Sequence, residues 1–92
     1  MFTAFVKTLE GQEISSRAGR SKFMVQVIGN GFVFVPLSSG NARQQQQSHI
    51  EKFLGHFNRT QSFVLHEYKK ISSVNATYML ALIALYGASE TL

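Results

Sequence analysis

The sequence predicts a small α+β domain, and three observations lead to that fold class. Two apolar, β-rich runs, 23–28 and 32–35, flank Gly29-Asn30-Gly31. An Asn-Gly pair between apolar runs is the strongest short signal of a β-hairpin. Apolar residues recur at helical spacing before and after this hairpin. The chain of 92 residues is 45% hydrophobic and has no cysteine, so we expect one domain whose core needs no disulfides.

The first predicted helix covers residues 2–10. Its apolar residues fall at i, i+3, i+4 and i+7, counted from Phe2, and so share one helical face. Because Phe2, Ala4 and Val6 also alternate, a third strand is the alternative for this segment.

A capping box predicts the second helix. Ser48 precedes Glu51 by three residues, as a reciprocal cap requires, which predicts a helix over residues 48–58. The stretch 37–47, which ends in four glutamines, is then a loop or a frayed helix start. In the alternative, the helix begins near Asn41 and carries the glutamines on its exposed face.

The final predicted helix covers residues 75–87, where Asn75 or Ser73 can cap it and Gly87 can end it. Nearly every position from 76 to 86 is apolar. A helix that is apolar on all sides must be buried on all sides, and a domain of this size buries a limited fraction of its surface. We therefore expect part of this helix to contact another copy of the chain.

The hairpin, predicted over residues 22–36, also needs cover. With Asn30 and Gly31 as its loop residues, Ile28 lies opposite Val33, and both faces of the ribbon are largely apolar. A second copy would cover one face or pair with an edge, and a homodimer is the simplest closed oligomer. The predicted interface residues are Met24, Ile28, Val33, Val35, Met79, Leu82, Ile83 and Tyr86.

The charge pattern favours an acidic partner. Nine Lys and Arg residues against five Glu give a net charge of +4. The hairpin pairing brings Arg20, Lys22 and Arg43 to one end of the ribbon, and Arg17 lies in the same basic loop. These four residues predict contacts to nucleic-acid phosphates that do not read the bases. The predicted function is a non-catalytic binding module.

A small-molecule binder is the alternative function. Phe63, Tyr68 and Tyr78 predict an aromatic pocket between the C-terminal helix and residues 59–71. A ligand there would raise the melting temperature with little dependence on salt.

Enzymatic, metal and cofactor sites are not predicted. The three histidines contain no i, i+4 pair, and the five glutamates are scattered with no aspartate present. No P-loop or nucleophile-elbow motif occurs. The N-terminus lacks a signal-peptide pattern, and the longest apolar stretch is short of the roughly 20 residues that span a bilayer, which predicts a cytoplasmic protein without membrane contact.

Several short segments carry a resemblance to a known type of protein. They are Gly19-Arg20-Ser21-Lys22-Phe23, Ser38-Ser39-Gly40, Arg43, Phe57-Asn58 and Asn75-Ala76-Thr77-Tyr78 before a Leu-rich helix. Together with the hairpin, this pattern resembles a small prokaryotic domain associated with mobile DNA, of the kind carried by integron gene cassettes. The resemblance spans about residues 19 to 86. It implies a bacterial origin, a compact α+β fold and frequent self-association.

Overall fold

The computed structural model describes residues 1–90 and has the predicted α+β class, with an N-terminal helix, a hairpin and later helices in the expected order. Four antiparallel strands form one sheet in the order β1-β2-β3-β4. No described helix is both long and apolar enough to cross a membrane. The elements are α1 (Phe2–Lys7), β1 (Ile14–Ser15), β2 (Lys22–Ile28), β3 (Gly31–Pro36), β4 (Arg43–Gln45), α2 (Gln47–Thr60), α3 (Leu65–Lys69) and α4 (Ala76–Glu90).

The two faces of the hairpin differ in burial. The inner face, which the helices cover, carries Phe23, Val25, Phe32 and Phe34, each at most 2% exposed. The outer face is half-buried or exposed. The outer-face side chains of the hairpin are Lys22, Met24, Gln26, Ile28, Val33 and Val35. Alternate residues of a strand point to opposite sides of the sheet, so the two faces carry different residues. A single chain covers the inner face and leaves the outer face accessible.

The hairpin turn differs from the prediction by one residue. Ile28 pairs with Gly31, so Gly29 and Asn30 are the two loop residues. Gly29 has a φ of 61°, and Asn30 does not have a positive φ. Positive φ at the first loop residue alone is the type II′ pattern, which favours glycine at that position. Every cross-strand partner moves by two positions, and because two is the side-chain period, the faces stay as predicted.

The glutamine run forms ordered structure instead of the predicted loop. Gln44 and Gln45 lie in β4, Gln46 is the N-cap of α2, and Gln47 is its first helical residue. The predicted capping box is wrong, because an N-cap needs extended backbone and Ser48 already lies inside the helix. The pairing of β4 with β3 sets where α2 begins.

The edges of the sheet offer little for a second copy to pair with. β1 has two residues and β4 has three. Beyond β1, the Glu10 carboxylate accepts a hydrogen bond of 2.8 Å from the Val27 amide of β2. Short edges and side-chain caps of this kind limit strand addition.

The N-terminal segment is a helix, so the strand alternative does not occur. It is shorter than predicted and ends at Lys7. Thr8 is its C-cap residue, and the Thr8 hydroxyl donates to the Phe5 carbonyl at 2.6 Å. Phe2 and Val6 are buried against the core.

Residues 78–83 of α4 are buried within one chain, whereas Leu85 is 40% exposed. Met79, Leu82 and Ile83 are at most 2% exposed, and Tyr86 packs edge to face on Phe2 with ring centres 5.3 Å apart. The predicted subunit contact is therefore wrong for Met79, Leu82 and Ile83, whereas Tyr86 is only partly buried and its contact stays a prediction. The prediction rested on the small size of the domain, but a four-stranded sheet and three further helices cover these three residues.

Asn75 joins α4 to β4. Its Nδ2 donates to the Gln44 carbonyl at 2.9 Å and to Gln45 Oε1 at 3.1 Å. Both Asn75 and Gln45 are 3% exposed. Asn75 Oδ1 has no hydrogen-bond partner among the described residues, so the predicted Asn75 side-chain cap does not form. The side chain instead connects the start of the helix to the sheet edge.

The close approach of β3 and β4 requires glycine at position 31. A Cβ on Gly31 would lie 2.7 Å from the Gln45 carbonyl oxygen, which belongs to backbone and cannot swing away. We expect Gly31→Ala to lower the free energy of unfolding by about 1–3 kcal/mol in urea titrations.

Gly87→Ala is the matched control, because a Cβ there meets nothing within 4 Å on α4. That variant should be neutral or gain up to about 1 kcal/mol from helix propensity. Equal stabilities for the two variants would contradict the steric account of Gly31.

Candidate functional site

The four predicted phosphate-binding residues lie at one end of the sheet but not on one face. Lys22 opens β2 on the outer face, and its Nζ is 4.0 Å from the Glu13 carboxylate. Arg43 pairs with Phe34 and so lies on the inner side, where its Nη1 donates to the Val74 carbonyl at 3.3 Å. Strand alternation therefore divides the predicted basic strip.

Arg17 and Arg20 occupy the turn between β1 and β2, and both are exposed. The Arg17 guanidinium lies over the Phe63 ring, 4.1 Å from its centre. Such a cation–π contact contributes about 0.5–1 kcal/mol at an exposed site. Arg17 of the predicted phosphate-binding set therefore contacts Phe63 of the predicted aromatic pocket.

A pocket of about 300 Å³ lies beside this pair, between α4 and the segment that joins α2 to α3. We call it the Arg17 pocket. Its wall is mostly apolar, with Arg17 and Thr77 as the polar members. Its lining residues are Arg17, Ala18, Phe63, Leu65, Thr77 and Leu80.

The two predicted pocket tyrosines belong to the core. Tyr68 is fully buried and stacked on Phe53 at 5.8 Å, and its hydroxyl donates to the Ser62 carbonyl at 2.6 Å. Tyr78 packs against Phe23 with ring centres 4.6 Å apart. Phe63 alone of the three predicted residues lines the Arg17 pocket. Thr77 and Leu80, which are neighbours on the surface of α4, line the opposite wall, and no sequence pattern distinguished them from other helical pairs of the same spacing.

A larger groove of about 740 Å³ lies between α2 and α3, and we call it the α2–α3 groove. Sequence reasoning missed it, because its polar residues come from two helices and share no motif. Its lining residues are Ser48, Glu51, Lys52, Gly55, His56, Arg59, Glu67, Lys70 and Ile71.

A histidine–glutamate pair lies in this groove. His56 Nε2 is 2.7 Å from Glu67 Oε1, and both side chains are partly buried. The hydrogen bond from His56 lowers the pKa of the Glu67 carboxyl below its ordinary value, against an opposing effect of burial. The His56 ring also packs edge to face on Tyr68 at 4.8 Å. The sequence predicted no metal or catalytic site at this histidine, and its pairing partner is eleven residues away on another helix.

No group of three or more histidine and acidic side chains that could hold a metal ion occurs in residues 1–90 as described. On the outer sheet face, Ile28 is 59% exposed, and Met24, Val33 and Val35 are half-buried. These four members of the predicted subunit interface remain accessible in the single chain.

Comparison with protein-family models, with curated proteins and with solved structures found no match. The resemblance to integron cassette proteins therefore stays a prediction.

The lowered pKa of Glu67 makes a prediction about acid stability. A carboxyl whose pKa is lower in the folded state stabilises the protein above its unfolded pKa, and this contribution is lost as the pH falls through the folded pKa. We expect wild type to be more stable than Glu67→Gln near neutral pH, with the difference shrinking below about pH 4.5 in urea titrations.

Glu51→Gln is the matched control in the same groove, because the Glu51 carboxylate accepts from the neutral amide of Gln47 at 3.4 Å. The difference in the free energy of unfolding between wild type and Glu51→Gln should vary less with pH than the difference for Glu67→Gln. A pH-independent difference for Glu67→Gln would contradict a stabilising charge at that position.

Proposed function

We propose that the protein is a non-catalytic binding module and that the Arg17 pocket takes a small carboxylate with an apolar body. The observation that carries this proposal is a guanidinium that lies over an aromatic ring at the edge of a mostly apolar cavity. Ligand sites in proteins are mostly apolar with a few polar groups that orient the ligand. A location in the cytoplasm stays a prediction from the sequence.

The donor geometry of Arg17 supports a carboxylate. The Arg17 guanidinium lies 4.1 Å from the centre of the Phe63 ring, and a guanidinium carries five N–H donors in a fixed fork. The two ion pairs among the described residues are Lys22–Glu13 and His56–Glu67, so the charge of Arg17 is not taken by either. A carboxylate can accept two parallel hydrogen bonds from such a fork.

The apolar wall supports a ligand with a hydrocarbon part. Phe63, Leu65 and Leu80 surround the cavity, and Thr77 adds one hydroxyl from the first turn of α4. The volume of about 300 Å³ lies at the lower end of the range for small-molecule sites. Short alkyl and aryl carboxylates are therefore the appropriate probes.

A thermal-shift series with octanoate, phenylacetate and benzoate tests this proposal. We expect at least one of these probes to raise Tm at millimolar concentration, with little change between about 50 and 300 mM salt, because most of the contact is apolar. Octanol and benzyl alcohol, which lack the carboxylate, should shift Tm less.

Two variants on the same turn separate the pocket from general charge effects. Arg17→Gln should remove most of the shift, whereas Arg20→Gln makes the same charge change outside the lining and should retain it. Ala18→Phe should fill the exposed mouth without touching the core. Loss of the shift in Arg20→Gln to the same extent as in Arg17→Gln, or no shift with any carboxylate, would overturn the proposal.

Contact with nucleic-acid phosphates is the second candidate function. We also propose that the protein forms a homodimer. Arg17, Arg20 and Lys22 fall within six residues of one exposed turn, which supports a local basic patch. Arg43 is less suited to it, because its guanidinium is engaged on the inner side. The accessible aliphatic residues of the outer sheet face support self-association by packing of two such faces.

Duplex DNA binding by anisotropy across salt, with the mass measured by light scattering on the same sample, tests this candidate. We expect log K to fall with log salt by about 0.9 per phosphate contacted, and Arg20→Gln or Lys22→Gln to reduce that slope by about one. Arg43→Gln is the control and should leave it unchanged. The expected mass is twice the chain mass of 10.3 kDa. Absence of DNA binding near 50 mM salt would contradict the phosphate contacts. A measured mass equal to that of one chain would contradict the homodimer.

A further inference from the structure

We propose that the α2–α3 groove is a second and separate site, which binds a phosphate group carrying two or more negative charges. Phosphate of this kind can belong to a small phosphorylated molecule or to the backbone of a nucleic acid, and the chemistry that recognises it is the same. The site shares no lining residue with the Arg17 pocket.

The first support is a surplus of positive charge in the groove. Lys52, Arg59 and Lys70 line it together with two carboxylates. Glu67 pairs with His56 at 2.7 Å, whereas Glu51 accepts at 3.4 Å from the amide of Gln47, which is neutral and does not offset a carboxylate charge. The three cations therefore exceed the two carboxylates by one positive charge. None of the three cations forms an ion pair within 4.0 Å among the described residues. Their charge is thus available to an anion.

The second support is the placement of the cations on two facing helices. Lys52 and Arg59 are seven residues apart on α2, which separates them by about 10.5 Å along the helix axis. Ser48 lies one turn before Lys52 on the same side, and Lys70 comes from the C-terminal end of α3 across the groove. Cations that approach from two sides can contact different oxygens of one phosphate or of two linked phosphates.

The third support is a glycine in the middle of α2. Gly55 costs about 1 kcal/mol of helix stability relative to alanine. A Cβ at this position would lie 3.5 Å from Arg59 Nη1, so the guanidinium lies beside the bare backbone of the preceding turn. The missing side chain deepens the groove and keeps Arg59 along its floor. A guanidinium in that place offers paired donors to phosphate oxygens.

Titration with inorganic pyrophosphate and, separately, with a 12-nucleotide single-stranded DNA tests the proposal by ¹H–¹⁵N NMR at about 50 mM salt. We expect shifts at the amides of α2 and α3 that surround the groove. Saturation by pyrophosphate identifies a small phosphorylated ligand as sufficient, whereas the same shifts with DNA alone identify a nucleic-acid backbone as the source. Either result supports the site, and the absence of both overturns it.

Two neighbouring lysines provide the decisive comparison. Lys70 lines the groove and Lys69 does not, although both are exposed at the end of α3. We expect Lys70→Gln and Arg59→Gln each to weaken binding about fivefold, and Lys69→Gln to change it less than twofold. Equal losses for Lys69→Gln and Lys70→Gln would mean diffuse attraction to a basic protein and would overturn the proposal.

Gly55→Leu gives a test that leaves the charge unchanged. The added side chain fills the floor of the groove and should abolish binding while Tm stays near that of wild type, since leucine favours the helix. Arg17→Gln should leave groove binding intact, so that failure at one site is distinguishable from failure at the other. If Gly55→Leu binds pyrophosphate or DNA as wild type does, the groove is not the binding site.

Discussion

The structure depends on the burial of α4 against the aromatic inner face of the sheet. Tyr78 lies between Phe23 and Phe34, with ring centres 4.6 and 5.4 Å away, and the next five residues of the helix are buried. The Asn75 side-chain amide donates hydrogen bonds to Gln44 and Gln45 of β4, which join the start of the helix to the sheet edge. Helices α1, α2 and α3 pack around α4 and complete the core.

Both candidate sites lie where that covering is incomplete. The Arg17 pocket opens where the first turns of α4 meet the turn between β1 and β2. The α2–α3 groove lies on the outward side of two helices whose inward side is the stacked pair Phe53 and Tyr68. Packing beneath the groove fixes the backbone of both helices, whereas the exposed side chains of Lys52, Arg59 and Lys70 lose conformational freedom when they bind a ligand. The core therefore gives each site a stable base.

The sequence predicted the residues of the two candidate sites less well than it predicted the fold. The basic residues were found from composition, but their assignment to one strip was wrong because Lys22 and Arg43 lie on opposite faces of the sheet. The aromatic pocket was expected between the correct segments, although two of its three residues, Tyr68 and Tyr78, are core. Arg17 meets Phe63 across 46 positions of sequence, and His56 meets Glu67 across two helices. Local spacing carries no information about such contacts.

The sequence by itself determined the α+β class, the hairpin, the order of the main helices and the apolar inner face. These follow from hydrophobic period and turn chemistry, which act over a few residues. The tertiary structure decided that Gln44 and Gln45 form a strand, that Gly29 begins the turn and that one chain buries residues 78–83 of α4. The physical reason is that a short polar strand is stabilised by pairing with β3 and by Asn75, and these partners are distant in sequence.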